Sequence, residues 1–376
     1  MIARHNSSSR RLDPGVAMAL VAATLFGLSA PFAKLLLQGA SPQLLAGLLY
    51  LGSGIGLAIV ALLRRGQTRE AALRRRDVPW LASAIAAGGI AGPLLLMYGL
   101  SRTPAASASL FLNLEGVLTA LLAWIVFREN VDRRIALGML AIVAGGAILS
   151  WEGRAGFGGL LGPLAIAGAC LAWAIDNNLT QKVSGGDPVR IAMLKGLAAG
   201  GVNTAIAIAL GAPLPPIPRI GGALLLGFFS YGVSLVLFVL ALRHLGTART
   251  GAYFSVAPFV GALVSLIVFR QSPTAGLVAA AALMGAGVWL HVSERHEHVH
   301  EHAPTEHEHL HAHDEHHHHA HAAGDPPGEP HSHPHQHDPL VHTHPHYPDL
   351  HHRHSHDHAS ERDSEAAARR TENADE

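Results

Sequence analysis

The sequence predicts an all-α membrane protein: ten transmembrane helices arranged as two inverted five-helix repeats, followed by a disordered C-terminal tail. Three observations lead there. From Gly15 to about Leu290 the chain is a succession of apolar runs separated by short polar loops. Lys and Arg collect in every second loop. Segments of the first half recur in the second.

The apolar runs number ten, at roughly 15–37, 42–63, 79–100, 105–127, 134–151, 159–181, 189–211, 220–242, 247–269 and 274–292. Each is close to the ~20 residues that a helix needs to cross a ~30 Å hydrocarbon layer. No strand-like alternation appears in them, and a helix satisfies its own backbone hydrogen bonds in lipid. A soluble bundle would carry polar stripes that these runs mostly lack. The first run contains "SAPFA", which resembles a signal-peptide cleavage site. It is too long for a signal peptide and has a counterpart later in the chain, so it reads as a retained helix.

The formal charge of zero is a sum of two unlike parts. Residues 1–292 hold 22 Lys and Arg against 9 Asp and Glu, whereas residues 293–376 hold 5 Arg against 18. Of the 28 His, 25 lie between His296 and His358. Such asymmetry separates a body from a tail. The expected organisation is an N-terminal segment (1–14), a first repeat (15–151), a second repeat (159–292) and a His-rich tail (293–376).

Orientation follows from the basic residues. With the N-terminus inside, the inner loops carry sixteen: Arg4, Arg10, Arg11, Arg64, Arg65, Arg69, Arg74, Arg75, Arg76, Arg128, Arg133, Arg134, Lys182, Arg190, Arg243 and Arg249. The outer loops carry four, Arg102, Arg154, Arg219 and Arg270. Ten crossings then return the tail to the cytoplasm, and the expected location is a bacterial-type inner membrane. The single cysteine, Cys170, lies in an apolar run and reads as a small packing residue.

"LFLNLEGVLTALLAWIVFR" (110–128) and "AYFSVAPFVGALVSLIVFR" (252–270) align without a gap at a shift of 142. "FGLSAPFAK" (26–34) faces "WAIDNNLTQ" (173–181) at a shift of 147. Each half therefore holds about five helices. Five is odd, so the second half enters the membrane upside down, and Arg128 lies inside while its partner Arg270 lies outside. Inverted repeats are a transporter device: two packings, one open to each side, with substrate between them near mid-membrane.

At this point a family resemblance becomes specific. Phe26, Gly27 and Lys34 of the first helix, "SPQLLAGLLYL" (41–51), the helix-four ending "LTALLAWIVFRE" (118–129) and its second-half echo with Pro258 resemble the drug/metabolite transporter superfamily, of the EamA type. The resemblance covers roughly 15–292 and none of the tail. It implies a carrier of small organic solutes, often an exporter, with a central cavity between the halves. The sequence departs from the pattern at Glu115-Gly116, which align with Ala257-Pro258.

Ionisable residues at membrane depth are costly and suggest function. Four stand out: Glu115 near the middle of its helix, Asp176 beside Asn177 and Asn178, and Lys34 and Lys195 near helix ends. Either lysine can instead snorkel, and Glu115 can instead form a structural ion pair with Lys34 or Lys195. Low dielectric disfavours the charged form of a carboxyl. A buried Glu115 can therefore bind a proton or a cationic substrate, but not both, with Asp176 and Asn177 shaping the polar site. Further cavity candidates, chiefly by analogy with family helices three, four, eight and nine, are Tyr98, Asn113, Ser230, Tyr231 and Tyr253.

The tail has too few apolar residues to offset the entropy of ordering, so no fixed structure is expected there. Neutral imidazole binds zinc, nickel, cobalt and copper. The expected ligands are His296, His298, His300, His302, His307, His309, His311, His313, His316, His317, His318 and His319. No fixed ligand spacing selects one metal, and the body requires no cofactor. Expected partners are a small-molecule substrate, the lipid bilayer and transition metal at the tail, with the protein a monomer or homodimer. Three readings stay open: a carrier of an organic solute, an exporter of nickel, cobalt or zinc that gathers the ion with its tail, and a membrane-anchored metal buffer or sensor. The chain shows no nucleophile constellation and no phosphate-binding loop, so no enzyme is predicted. The basic loops read as orientation signals, not as a nucleic-acid surface.

Overall fold

The computed structural model of the protein describes residues 14–64, 73–127, 133–151, 160–183, 186–292, 297–302, 305–311, 331–337 and 340–345. The described body is helical, as the sequence predicts. The first half comprises α1 (Pro14–Gly27), α2 (Ser29–Leu36), α3 (Pro42–Leu63), α4 (Val78–Ala84), a π segment (Ile85–Ala91), α5 (Gly92–Arg102), α6 (Ala105–Phe111), α7 (Leu114–Phe127) and α8 (Arg133–Trp151). The second comprises α9 (Leu161–Gln181), α10 (Pro188–Ala209), α11 (Ile217–Gly227), a second π segment (Phe228–Val233), α12 (Ser234–Phe254), α13 (Ala257–Val268) and α14 (Ala275–Val292).

Six described helical stretches are long and apolar enough to cross a membrane: Pro14–Gly39, Pro42–Leu63, Arg75–Arg102, Ala105–Leu122, Pro188–Ala209 and Ile217–Ala241. Shorter apolar helices cover Ala136–Ser150, Ala257–Val268 and Ala275–Leu290. The expected eighth and ninth runs are not separated by a loop, because α12 bridges them. Yet the Phe238 and Phe254 rings lie 4.8 Å apart. Their Cα atoms would be ~24 Å apart along a straight helix. The chain therefore doubles back within α12, close to where the eighth run gives way to the ninth.

The two halves match in local detail. Helices α3 and α10 each have 22 residues, begin with proline in the first turn, and are capped by a side chain, Ser41 Oγ in one and Asp187 Oδ1 in the other. Proline suits the first turn because its missing N–H would have no helical partner there. Each half also has a π segment at the same place in the repeat, Ile85–Ala91 and Phe228–Val233. Each then has a break near mid-membrane, at 112–113 and at 255–256. In the second half Pro258 follows the break. In the first, the Asn113 side chain donates to the Leu110 carbonyl at 3.1 Å, competing with the helix's own ladder.

The inversion is visible where equivalent helices meet. Helix α3 packs most extensively on α10. Gly54 lies against Leu197, and its counterpart Gly200 lies against Leu51, the counterpart of Leu197. Contacts that exchange in this way are isologous, as across a two-fold axis. The partner numbers fall on one helix as they rise on the other, so α3 and α10 run antiparallel. Helices α8 and α14 repeat the pattern: Gly145 meets the Ala280 carbonyl, and Gly287 meets that of Gly138. A Cβ on Gly54 or Gly200 would collide with backbone, so small residues let these helices approach without a driving force from water.

Four short segments of the tail are extended. Strands β1 (Glu297–His302), β2 (Thr305–His311), β3 (His331–His337) and β4 (Leu340–Pro345) pair antiparallel, β1 with β4 and β2 with β3. The physical reason lies in "HEHVHEH" and its relatives, whose alternation fits the two-residue period of a strand. Histidine stands opposite histidine at His298 and His344, His300 and His342, His307 and His335, and His309 and His333.

Gly54→Val and Gly200→Val should each lower stability by about 1–3 kcal/mol through overpacking, while Gly201→Ala, with open space around its Cα, should leave it unchanged. Thermal unfolding of the purified protein in detergent measures all three.

Candidate functional site

A cavity with about 640 Å³ of space between atoms, part of it open, lies where the two halves face each other. Its polar wall is Glu115 from α7, Asp176 and Asn177 from α9, and Lys195 from α10. The rest of its lining is largely aromatic, with Phe26, Tyr50, Trp173, Tyr231, Phe238 and Phe254, joined by Ser53, Ser230 and Ser234.

Breaks in the helices place the key groups. Leu112, Asn113 and Glu115 donate their backbone N–H groups three residues back rather than four, each at 3.1 Å. Helix α7 therefore starts afresh at Leu114, and Glu115 sits in its first turn. The positive end of a helix dipole lowers the cost of holding a carboxylate there. Glu115 Oε1 accepts a hydrogen bond from Asn177 Nδ2 at 2.8 Å.

Lys195 and Asp176 form a buried pair. Lys195 Nζ lies 2.7 Å from each carboxylate oxygen and 3.1 Å from Thr180 Oγ1. Thr180 in turn donates to Asp176 Oδ1 at 2.9 Å. The spacing of four places Asp176 and Thr180 on one face of α9. Burying two charges is repaid only when geometry and extra hydrogen bonds are good, and this arrangement supplies both.

The π segment braces the aromatic wall. Tyr50 Oη donates to the Gly88 carbonyl at 3.0 Å, and Trp173 Nε1 donates to the same oxygen at 2.9 Å. Asn203 Nδ2 donates to the Gly89 carbonyl at 3.3 Å. A π turn offers its carbonyls to side chains in this way because the helical ladder locally shifts. Phe26 is the centre of the rings: its centroid is 5.7 Å from Trp173, 5.8 Å from Tyr231 and 5.3 Å from Phe254.

Of the residues expected from sequence, the structure brings together Glu115, Asp176, Asn177, Lys195, Ser230 and Tyr231. Four lie elsewhere. Lys34 Nζ donates to the carbonyls of Leu100 and Thr103, closing the C-terminal end of α5, a usual post for a lysine. It pairs with no carboxylate among the described residues, and Lys195 serves Asp176 rather than Glu115. Asn113 holds Leu110 and approaches Met284 Sδ at 3.8 Å. Tyr98 lies under the Arg102 guanidinium, 4.4 Å from its centroid. Tyr253 gives way to its neighbour Phe254. Cys170 is buried, its thiol directed at the Phe111 carbonyl. Sequence reasoning missed Tyr50, Ser53, Thr180, Phe238 and Phe254 as site residues. A polar ring or hydroxyl inside an apolar run was the available signal at Tyr50 and Ser53.

Among the described residues no group of three or more His, Cys, Asp or Glu is placed to hold a metal ion. The tail histidines expected as ligands fall outside this test: His296, His313 and His316 to His319 lie outside the described residues, and for His298, His300, His302, His307, His309 and His311 only the backbone is described.

A duplicated helical body around such a cavity suits a small-solute carrier, and comparison with known proteins agrees. The EamA-like transporter family matches residues 13–151 and again 160–293, and the chain belongs to this family. It is 30% identical over 274 residues to an "Uncharacterized transporter" of Methanothermobacter thermautotrophicus, covering 68% of this chain and 79% of that protein. It is 25% identical over 276 residues to the "Uncharacterized transporter YvbV" of Bacillus subtilis, covering 71% and 87%. A shorter match, 47% identical over 79 residues, links 21% of this chain to 66% of a Pseudomonas paraeruginosa protein named "Probable 4-amino-4-deoxy-L-arabinose-phosphoundecaprenol flippase subunit ArnE". A solved crystal structure shares the fold with a TM-score of 0.58 at 20% identity, covering 73% of this chain and 95% of that one. The protein is thus a multi-pass membrane transporter.

Asp176→Asn should destabilise the protein by about 3–5 kcal/mol, because it strands the Lys195 charge. Adding Lys195→Met should recover most of that loss. Unfolding of the single and double variants in detergent reads the coupling, and additive losses would contradict the pairing.

Proposed function

We propose that the protein is an inner-membrane secondary carrier that moves a small organic solute by alternating access, as an exporter or exchanger, with Glu115 linking the movement to protons. The observation that carries this reading is the place of Glu115. Its carboxylate faces a cavity bounded by both inverted halves, with a neutral amide as its hydrogen-bond partner. A proton and a cationic solute compete for such a group.

The cavity lies between the C-terminal part of α9 and the N-terminal part of α10, the half that the basic loops assign to the cytoplasm. The opposite half is closed by α2, which packs on α5, α6, α11 and α13 and holds the end of α5 through Lys34. In this reading the arrangement is the inward-facing one. Opening outward requires Lys34 to leave those carbonyls while the cytoplasmic side closes, the exchange of packings that inverted repeats permit.

The tail binds transition metal as a separate device in this reading. The density of histidine in the tail supports this, since neutral imidazole is a ligand for zinc, nickel, cobalt and copper. A metal exporter is the competing reading. It gains nothing from the cavity, where no His or Cys is among the described lining residues.

Two outcomes test this function. In proteoliposomes with an imposed pH gradient, offered a panel of labelled amines, amino acids, Zn²⁺ and Ni²⁺, the wild type should drive an organic solute. Glu115→Gln should lose gradient-driven flux by at least tenfold yet retain exchange; equal gradient-driven flux contradicts the proton role. Deleting residues 294–376 should remove most Zn²⁺ binding in equilibrium dialysis and leave organic flux intact. Movement of Zn²⁺ or Ni²⁺ alone, lost with the tail, would favour the metal exporter.

A further inference from the structure

We infer that the cavity selects a monovalent organic cation: an ammonium compound with an apolar or aromatic body and no carboxylate of its own. This deepens the carrier reading above and rests on it for transport, though not for binding.

The charge count comes first. Among the described residues, the acidic and basic side chains that line the cavity are Glu115, Asp176 and Lys195. Lys195 engages both oxygens of Asp176 at 2.7 Å and is held further by Thr180. That pair is neutral as a unit, and its geometry leaves no free fork for an incoming carboxylate. Glu115 remains, bonded to the neutral Asn177 amide. With Glu115 ionised the lining carries one uncompensated negative charge, which a single positive charge balances.

The rings come second. Phe26, Tyr50, Trp173, Tyr231 and Phe254 form a connected set, with Phe238 against Phe254. Their planes meet at angles from 37° to 75°. Rings so inclined surround a space instead of stacking along one axis. Aromatic faces attract a cation, especially one whose charge is spread over alkyl groups and weakly hydrated. A carboxylate and aromatic rings in one lining suit an ammonium group with an apolar body.

The same features reject the alternatives. A zwitterionic amino acid brings a carboxylate with no free cation to receive it. An anion meets the Glu115 charge. A neutral solute gains nothing from the carboxylate and enters only where Glu115 first takes up a proton. A transition metal ion finds one free carboxylate and no imidazole or thiolate in the lining, short of the three or four ligands it requires. Each rejection follows from the Lys195–Asp176 pair being closed upon itself.

A matched series of probes tests the inference: phenethylamine, phenylalanine, 3-phenylpropionate and 3-phenylpropanol, which share a phenyl body and differ in charge. Equilibrium binding to the purified full-length protein in nanodiscs, and counterflow in proteoliposomes, are measured for each at pH 7.5. Phenethylamine should bind at least tenfold more tightly than the other three, and Zn²⁺ should not displace it. Glu115→Gln should weaken it at least tenfold. Phe254→Leu, which leaves every ionisable group in place, should weaken it several-fold while preserving the order of the series. Tighter binding of phenylalanine or 3-phenylpropionate, or a series indifferent to charge, overturns the inference. Counterflow of phenylalanine in preference to phenethylamine also overturns it while leaving the carrier reading standing. Phenethylamine binding without counterflow of any probe supports the cation site and contradicts the carrier reading instead.

Discussion

Everything in the body depends on equivalent helices meeting face to face along a local two-fold axis. At α3 and α10 the backbones approach until glycine is the residue that fits, and the contact of Gly54 with Leu197 is repeated by Gly200 with Leu51. Helices α8 and α14 do the same through Gly145 and Gly287. In lipid, apolar surface gives no preference for one helix neighbour over another, so close packing of small residues decides the pairing. The seam fixes the halves against each other, and the cavity occurs where the two units face without interlocking.

Within that frame the ionic arrangement is economical. Among the described residues three charged side chains line the cavity, and two of them neutralise each other in a buried pair supported by Thr180. The third, Glu115, stands in the first turn of a helix that begins in the middle of its apolar run. A helix start there has a cost in unpaired backbone groups, and it supplies the dipole that helps hold a carboxylate. The halves differ in these charges: Glu115-Gly116 stand where the second half has Ala257-Pro258, and Asp176 and Lys195 stand where the first half has Ser29 and Leu49.

Much of this was legible in the sequence. Run lengths, alternating basic loops and the two repeat alignments define the helical body and its inversion. The membrane carboxylates Glu115 and Asp176 point to a site because ionisable groups at that depth are costly. What escaped depends on rotation about a helix axis. Asn113 and Glu115 are two residues apart, so they point to different sides: Glu115 reaches the cavity and Asn113 breaks the helix. Tyr253 and Phe254 differ by one position and the same argument separates them. Lys34 looks like a cavity charge by depth alone, but its role is set by carbonyls at the end of another helix, which no local pattern encodes. The π segments behind Tyr50 and Trp173 are also silent in sequence, since Gly88 and Gly89 are ordinary residues for tight helix packing. In the tail, the low apolar content argued against order, while His–X alternation carried a strand period that the structure expresses in four segments.

The central claim, two like units inverted against each other, is tested most directly by the compartments that equivalent positions face. Arg64 ends α3, and its counterpart Leu210 ends α10. Single cysteines at these positions, in a Cys170→Ala background, can be labelled in intact spheroplasts with a membrane-impermeant maleimide. The account predicts that Leu210→Cys reacts from outside while Arg64→Cys reacts only after the membrane is opened. Reaction of both from the same side would contradict it.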